Sequence, residues 1–145
     1  MKSYRVGILC LVAVLGAAAC EVLGLGGHAG PDGISLEVLG TNWERGGTIQ
    51  LRLRNGTERD VGYNLCFRVL ERRVGRDWVA VQSMPQNTVC TAELRVLQPG
   101  AEAFDAQVVH SFIAGGIYRV RTNVEWPVGD GRVGLPSNYF VIAET

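Results

Sequence analysis

Lysine and histidine are almost missing from this chain. Of 145 residues only Lys2 is a lysine, and only His28 and His110 are histidines. From Cys20 onward, 12 arginines stand against 14 carboxylates, a net charge of −2, which leaves no electrostatic footprint for nucleic acid or an anionic membrane surface. The scarcity of histidine also bears on catalysis. A triad would have to be assembled from His110 with Asp105 and Ser111, and adjacent serine and histidine on a strand point to opposite faces. No pair of carboxylates sits among apolar residues as a tuned acid and base would. Asp32, Asp60, Asp77 and Asp130 each neighbour glycine or arginine, which is turn chemistry. The four cysteines make no C-x-x-C, and Asp130 with Glu125 and Asn138 is too sparse for a calcium loop. These absences argue against an enzyme and against any cofactor or metal.

Long apolar runs are also lacking. The longest, Val6 to Ala19, is 14 residues, short of the roughly 20 that span a bilayer. With Lys2 and Arg5 before it and Ala17-Ala18-Ala19-Cys20 after it, residues 1–19 read as a signal peptide for export. The same residues resemble the lipobox of bacterial lipoproteins, with Ala18 and Ala19 in keeping and Ala17 where that motif prefers leucine. The resemblance implies a lipid anchor on Cys20, contact with a membrane through it, and a place in the bacterial cell envelope. Acyl chains add about 0.8 kcal/mol per buried methylene. Cleavage after an A-x-A site, leaving a soluble exported protein, is the alternative. Cys10 lies inside the apolar run and leaves with the peptide.

Residues 20–33 then form a linker. Five glycines and Pro31 between Glu21 and Gly33 cannot bury enough apolar surface to offset the entropy of ordering. Gly24, Gly26 and Gly30 superficially resemble a phosphate-binding loop, but no strand precedes them and Pro31 follows. His28, with no second ligand near it, reads as a solvated spacer residue.

From Ile34 to Thr145 the pattern is that of strands. Ile49, Leu51 and Leu53 alternate with Gln50, Arg52 and Arg54, and Asn55-Gly56 supplies a turn. Tyr63 to Leu70 is expected to be a strand with Tyr63, Leu65, Phe67 and Val69 on one face. A hairpin around Gly75-Arg76-Asp77 returns through Trp78 to Val81. Arg68, Arg72, Arg73 and Arg76, interleaved with Glu71 and Asp77, read as the solvated ends of these two strands. Cys90 to Leu97 is expected to be a strand in which Ala92, Leu94 and Val96 alternate against Glu93 and Arg95, and Pro99-Gly100 ends it. Ala101 to Phe104 is a short strand, and Ile117 to Trp126 a long one with Tyr118, Val120, Thr122 and Val124 facing one way. A Gly- and Pro-rich turn region through Pro136 precedes a closing strand over Tyr139 to Ile142. Helical spacing competes only in Asp105 to Ile113. About seven strands with almost no helix predict an all-β, antiparallel sandwich.

Two features refine this to an immunoglobulin-like sandwich. Tyr118, just after Gly115-Gly116, stands where such domains carry a tyrosine whose hydroxyl bonds back to the preceding corner; an ordinary edge tyrosine is the alternative. Cys66 and Cys90 are left once export accounts for Cys10 and Cys20, and in an oxidising compartment they are expected to pair, two free buried thiols being the alternative. Cys66 is out of phase with Leu65 and Phe67, so the bond is expected to tie a strand to its neighbour or loop, not to pin two sheets.

Ile49 to Asn55, Tyr63-Asn64-Leu65-Cys66, Trp78, Leu97-Gln98-Pro99-Gly100, Gly116-Ile117-Tyr118-Arg119-Val120 and Ser137-Asn138-Tyr139-Phe140-Val141 fall in an order that resembles the bacterial immunoglobulin-like domains of envelope lipoproteins. The resemblance covers residues 34 to 143. It implies a non-catalytic, envelope-tethered module that binds a protein or surface glycan or makes structural contact, with no nucleic-acid partner. The alternative is an extracellular proteinase inhibitor, with Gln82 to Val89, containing Met84-Pro85, as its bait.

Overall fold

The computed structural model describes residues 33–83 and 89–144; the signal sequence, Cys20, the spacer to residue 32 and the segment 84–88 lie outside the described residues. Among the described residues there are ten strands and no helix: β1 (Ile34–Leu39), β2 (Asn42–Trp43), β3 (Thr48–Asn55), β4 (Val61–Val74), β5 (Asp77–Ser83), β6 (Arg95–Leu97), β7 (Glu102–Val108), β8 (Gly116–Glu125), β9 (Arg132–Pro136) and β10 (Phe140–Ile142).

The strands form two sheets. One has the order β1-β3-β7; the other runs β2-β10-β8-β4-β5, with β6 beside β5 along β4, and β9 beside β10 along β8. Ladders are antiparallel except β2 with β10, which is parallel. The first part of the chain therefore serves both sheets: β1 pairs β3 in the small one, and two residues later β2 joins β10 in the large one. The crossing turns on Gly40, at φ 107°, where an added Cβ would stand 2.9 Å from Cζ2 of Trp43.

Alternation dictates the core. Ile34, Leu36, Val38, Ile49, Leu51 and Leu53 from the small sheet meet Leu65, Leu70, Val120, Val124, Leu135, Phe140 and Ile142 from the large one, and all are buried. Each such side chain contributes about 1.5–3 kcal/mol by leaving water. Tyr118, Val120, Thr122 and Val124 face inward along β8, as the sequence period requires. The molecule is an all-β, immunoglobulin-like sandwich.

Four expectations change. The inward face of β4 switches: Val61 and Leu65 point in, then Arg68 and Leu70, because the register with β8 slips between Tyr63 and Arg68. Phe67 is thereby turned out, 44% exposed, and Val69 is half-buried. Of Cys90 to Leu97 only Arg95–Leu97 is strand, and it buries Leu97 while Val96 is exposed. The helical alternative over Asp105 to Ile113 gives way to β7 as far as Val108 and then to a turn, closed by the Ile113 amide on the His110 carbonyl, and the turn region before the last strand contains β9.

The fourth change concerns the arginines. Arg73 and Arg76 are exposed, but Arg68 is 2% exposed. Its guanidinium reaches from the large sheet to β7 of the small one, donating to Asp105 Oδ2 at 2.7 Å, Gln107 Oε1 at 3.1 Å and the Ala106 carbonyl at 2.5 Å, and also to the Leu65 carbonyl. The register slip in β4 aims it inward, and four acceptors repay its dehydration.

Candidate binding groove

Along β4, Val61, Tyr63 and Leu65 pack on the core, so Gly62 and Asn64 face the opposite way, with Cys66 next in the alternation. All three hold one stretch of chain, residues 90–94, over the outer face of the large sheet. Cys66 is bonded to Cys90, with a Cα–Cα distance of 5.6 Å. Asn64 Nδ2 donates to the carbonyls of Thr91 at 2.8 Å and Glu93 at 2.9 Å, while its Oδ1 accepts from the Cys66 amide at 3.0 Å. Gly62 lies under Leu94: a Cβ there would stand 2.9 Å from Cδ2 and 3.3 Å from Cγ of that leucine. The disulfide thus fastens a loop to the face of its own sheet and does not cross the sandwich.

The fastened stretch walls a groove of about 410 Å³. Ala92 and Leu94 form the wall, while Phe67 and Asn123 line the space beneath. On the far side Glu125 and Arg132, paired across β8 and β9, make an ion pair at 3.4 Å. Gly134 stands opposite Asn123 in that ladder and brings no side chain over the Asn123 amide.

Farther along the same face lies a polar and aromatic cluster. Glu71 on β4 accepts from Arg119 Nε at 2.7 Å and Arg121 Nε at 2.6 Å, both on β8. The Arg119 guanidinium lies 4.3 Å over the Trp78 ring, and Trp78 packs on Tyr139 at 5.0 Å. Burial, the largest single influence, pushes the Glu71 carboxyl up; the two arginine hydrogen bonds and charges together outweigh it and hold the carboxyl below its ordinary value. Ile117 and Val141, paired across β8 and β10, expose their side chains beside this cluster.

The remaining residues singled out from the sequence are dispersed. Tyr118 is fully buried and its hydroxyl donates to the Ala114 carbonyl, four residues upstream, the geometry of a tyrosine corner; burial pushes the hydroxyl up, and Arg72 and Arg45 pull it partly back. His110 stacks on Phe112 at 4.9 Å, while Asp105 is engaged with Arg68. Asp130 is exposed, and its amide closes a turn onto the Pro127 carbonyl. Among the described residues no three His, Cys, Asp or Glu side chains are grouped to hold a metal ion. Cys20 and Met84-Pro85 fall outside the described residues. Sequence reasoning missed Gly62, Asn64, Asn123 and Phe67 as one locality. The signal it had was Gly62-x-Asn64-x-Cys66, small and polar residues alternating with a core face.

No family model and no curated protein matches the chain. Among solved structures it is similar to neutral ceramidase from Pseudomonas aeruginosa, at 12% identity and a TM-score of 0.47, over 75% of this chain and 19% of that one. It is also similar to a β-glucosidase from Listeria innocua in complex with gluconolactone, at 12% identity and a TM-score of 0.34, over 76% of this chain and 16% of that one. A third is the ASH/PapD-like domain 7 of human CEP192, at 12% identity and a TM-score of 0.37, over 97% of each chain. This chain thus spans less than a fifth of the length of the first two proteins it is similar to.

Proposed function

We propose that the protein is a non-catalytic module, exported and held to the bacterial cell envelope by lipid on Cys20, whose outer sheet face contacts a protein or surface glycan. The observation that carries this reading is the walled groove. A disulfide, a two-armed asparagine and a glycine fix chain over a face that would otherwise be flat, and a preformed concavity lowers the ordering cost of binding. A photo-crosslinking residue placed at Asn123 should trap a partner in cells, while the same residue at Phe104, exposed on the small sheet, should not. Equal trapping at both positions would remove the outer face as the contact surface. The purified full-length protein should hydrolyse no peptide, ester or glycoside, and its intact mass should include acyl chains on Cys20.

A second reading, an extracellular proteinase inhibitor, is favoured by the fastening on both sides of Met84-Pro85. Gln82 Nε2 donates to the Val108 carbonyl at 3.0 Å, and Cys90 is held by Cys66. A panel of serine and cysteine proteinases unslowed by micromolar protein would eliminate it.

A further inference from the structure

We infer that the groove beneath the 90–94 wall binds a neutral saccharide, with Phe67 meeting a sugar ring and Asn123 hydrogen-bonding its hydroxyls. This rests on the reading of the outer face as a contact surface and names the chemical class that its groove accepts.

Size and chemistry both bear on the inference. At about 410 Å³ the groove lies toward the small end of the roughly 300–1,000 Å³ of ligand pockets, which suits a short saccharide. Its groups are those a pyranose requires. A sugar offers a C–H face, which the electron-rich face of an aromatic ring attracts, and edges of hydroxyls that both donate and accept. Phe67 is 44% exposed, an unusual position for phenylalanine, and the register slip in β4 puts it there. Asn123, exposed at the groove's edge, carries an amide that donates and accepts in one plane. Its neighbour across the ladder is Gly134, which leaves the approach clear.

Charge selects the neutral class. Glu125 and Arg132 answer each other at 3.4 Å, so the far side of the groove presents planar hydrogen-bonding groups with no net charge. Asn64, the other amide-bearing residue that lines the groove, is spent on the wall through Thr91, Glu93 and Cys66 and is not a ligand contact. The wall is therefore structural, whereas Phe67 and Asn123 are the contact positions.

The test uses purified full-length protein and saturation-transfer NMR with cellotetraose, maltotetraose and chitotetraose, and with trigalacturonate as the charged counterpart. At least one neutral oligosaccharide should bind saturably. Phe67→Ala and Asn123→Ala should each weaken it about tenfold, roughly one good contact, and Phe104→Ala should leave it unchanged. Because Phe67, Asn123 and Phe104 lie at the surface and outside the core cluster, the variants should still unfold in one cooperative transition, which melting curves read. Binding of none of the neutral probes, binding undiminished in both groove variants, or preference for trigalacturonate would overturn the proposal. Should the Asn123 crosslinker still trap a protein in cells while no neutral probe binds, the saccharide proposal fails and the contact module stands. If neither is seen, both fail.

Discussion

Arg68 on β4 reaches across the sandwich to Asp105 on β7 at 2.7 Å, joining the two sheets by a charge that is itself almost wholly buried. The partners are unequal, since the Asp105 side chain is 41% exposed. Removing Asp105 leaves Arg68 three other acceptors and a water-accessible edge. Removing Arg68 strands the carbonyls of Leu65 and Ala106 and the amide of Gln107. Arg68→Ala is therefore expected to cost about 3 kcal/mol and Asp105→Asn about 1 kcal/mol in urea unfolding. Equal costs would mean that the ion pair, not the set of backbone acceptors, is what Arg68 contributes.

Glu71 gives the fold a dependence on acid. Its carboxyl lies below the ordinary 4.5 in the folded state, because the pull of Arg121 and Arg119 exceeds the push of burial. A carboxyl depressed by folding stabilises the protein at pH values above its unfolded value, and the contribution fades as pH falls through the folded value. Wild type and Glu71→Gln should therefore differ by a constant amount from about pH 5 to about pH 8, and the gap should narrow below about pH 4.5. Melting temperatures across that range read the difference. A gap that widens on acidification would mean that folding raises the Glu71 carboxyl above its unfolded value.

Asn138 guards a sheet edge. Its Oδ1 accepts from the Val38 amide at 2.7 Å and its Nδ2 donates to the Val38 carbonyl at 3.1 Å, so a side chain satisfies backbone groups that a further strand would take. Asn138→Ala should lower stability by about 2 kcal/mol. It should also produce concentration-dependent self-association in sedimentation, which Asn123→Ala, away from that edge, should not.

What was legible in the sequence was whatever period-two alternation carries. Ile49, Leu51 and Leu53, and Tyr118 through Val124, point inward because nothing interrupts their strands. The pairing of Cys66 with Cys90, as a tie from a strand to a loop and not a pin between sheets, followed from the expectation of export and from the phase of Cys66. The misreadings sit where backbone register breaks. One slipped ladder in β4 turned Phe67 out and Arg68 in, and no local pattern announces a slip that depends on a partner strand 55 residues away. The groove was illegible for the same reason: its wall and floor meet only after β4, β6, β8 and β9 are in register.

The wall should be separable from the sandwich it covers. Cys66→Ser with Cys90→Ser opens a loop of sequence separation 24, worth about 3 kcal/mol in the chain-entropy account, while Asn64 and Gly62 continue to hold the same stretch. Gly62→Ala acts at the other end. Its Cβ would press on Leu94, whose tip can swing aside, and on the Glu125 Cβ at 3.2 Å, so the cost should be only about 1 kcal/mol. The two changes touch one element and are expected to couple, their combined cost departing from additivity by about 0.5 kcal/mol or more. Amide exchange at residues 91–94 should rise in each variant, while exchange in β3 stays slow. Were β3 to loosen equally, the wall would be part of the cooperative core and not a structure laid upon it.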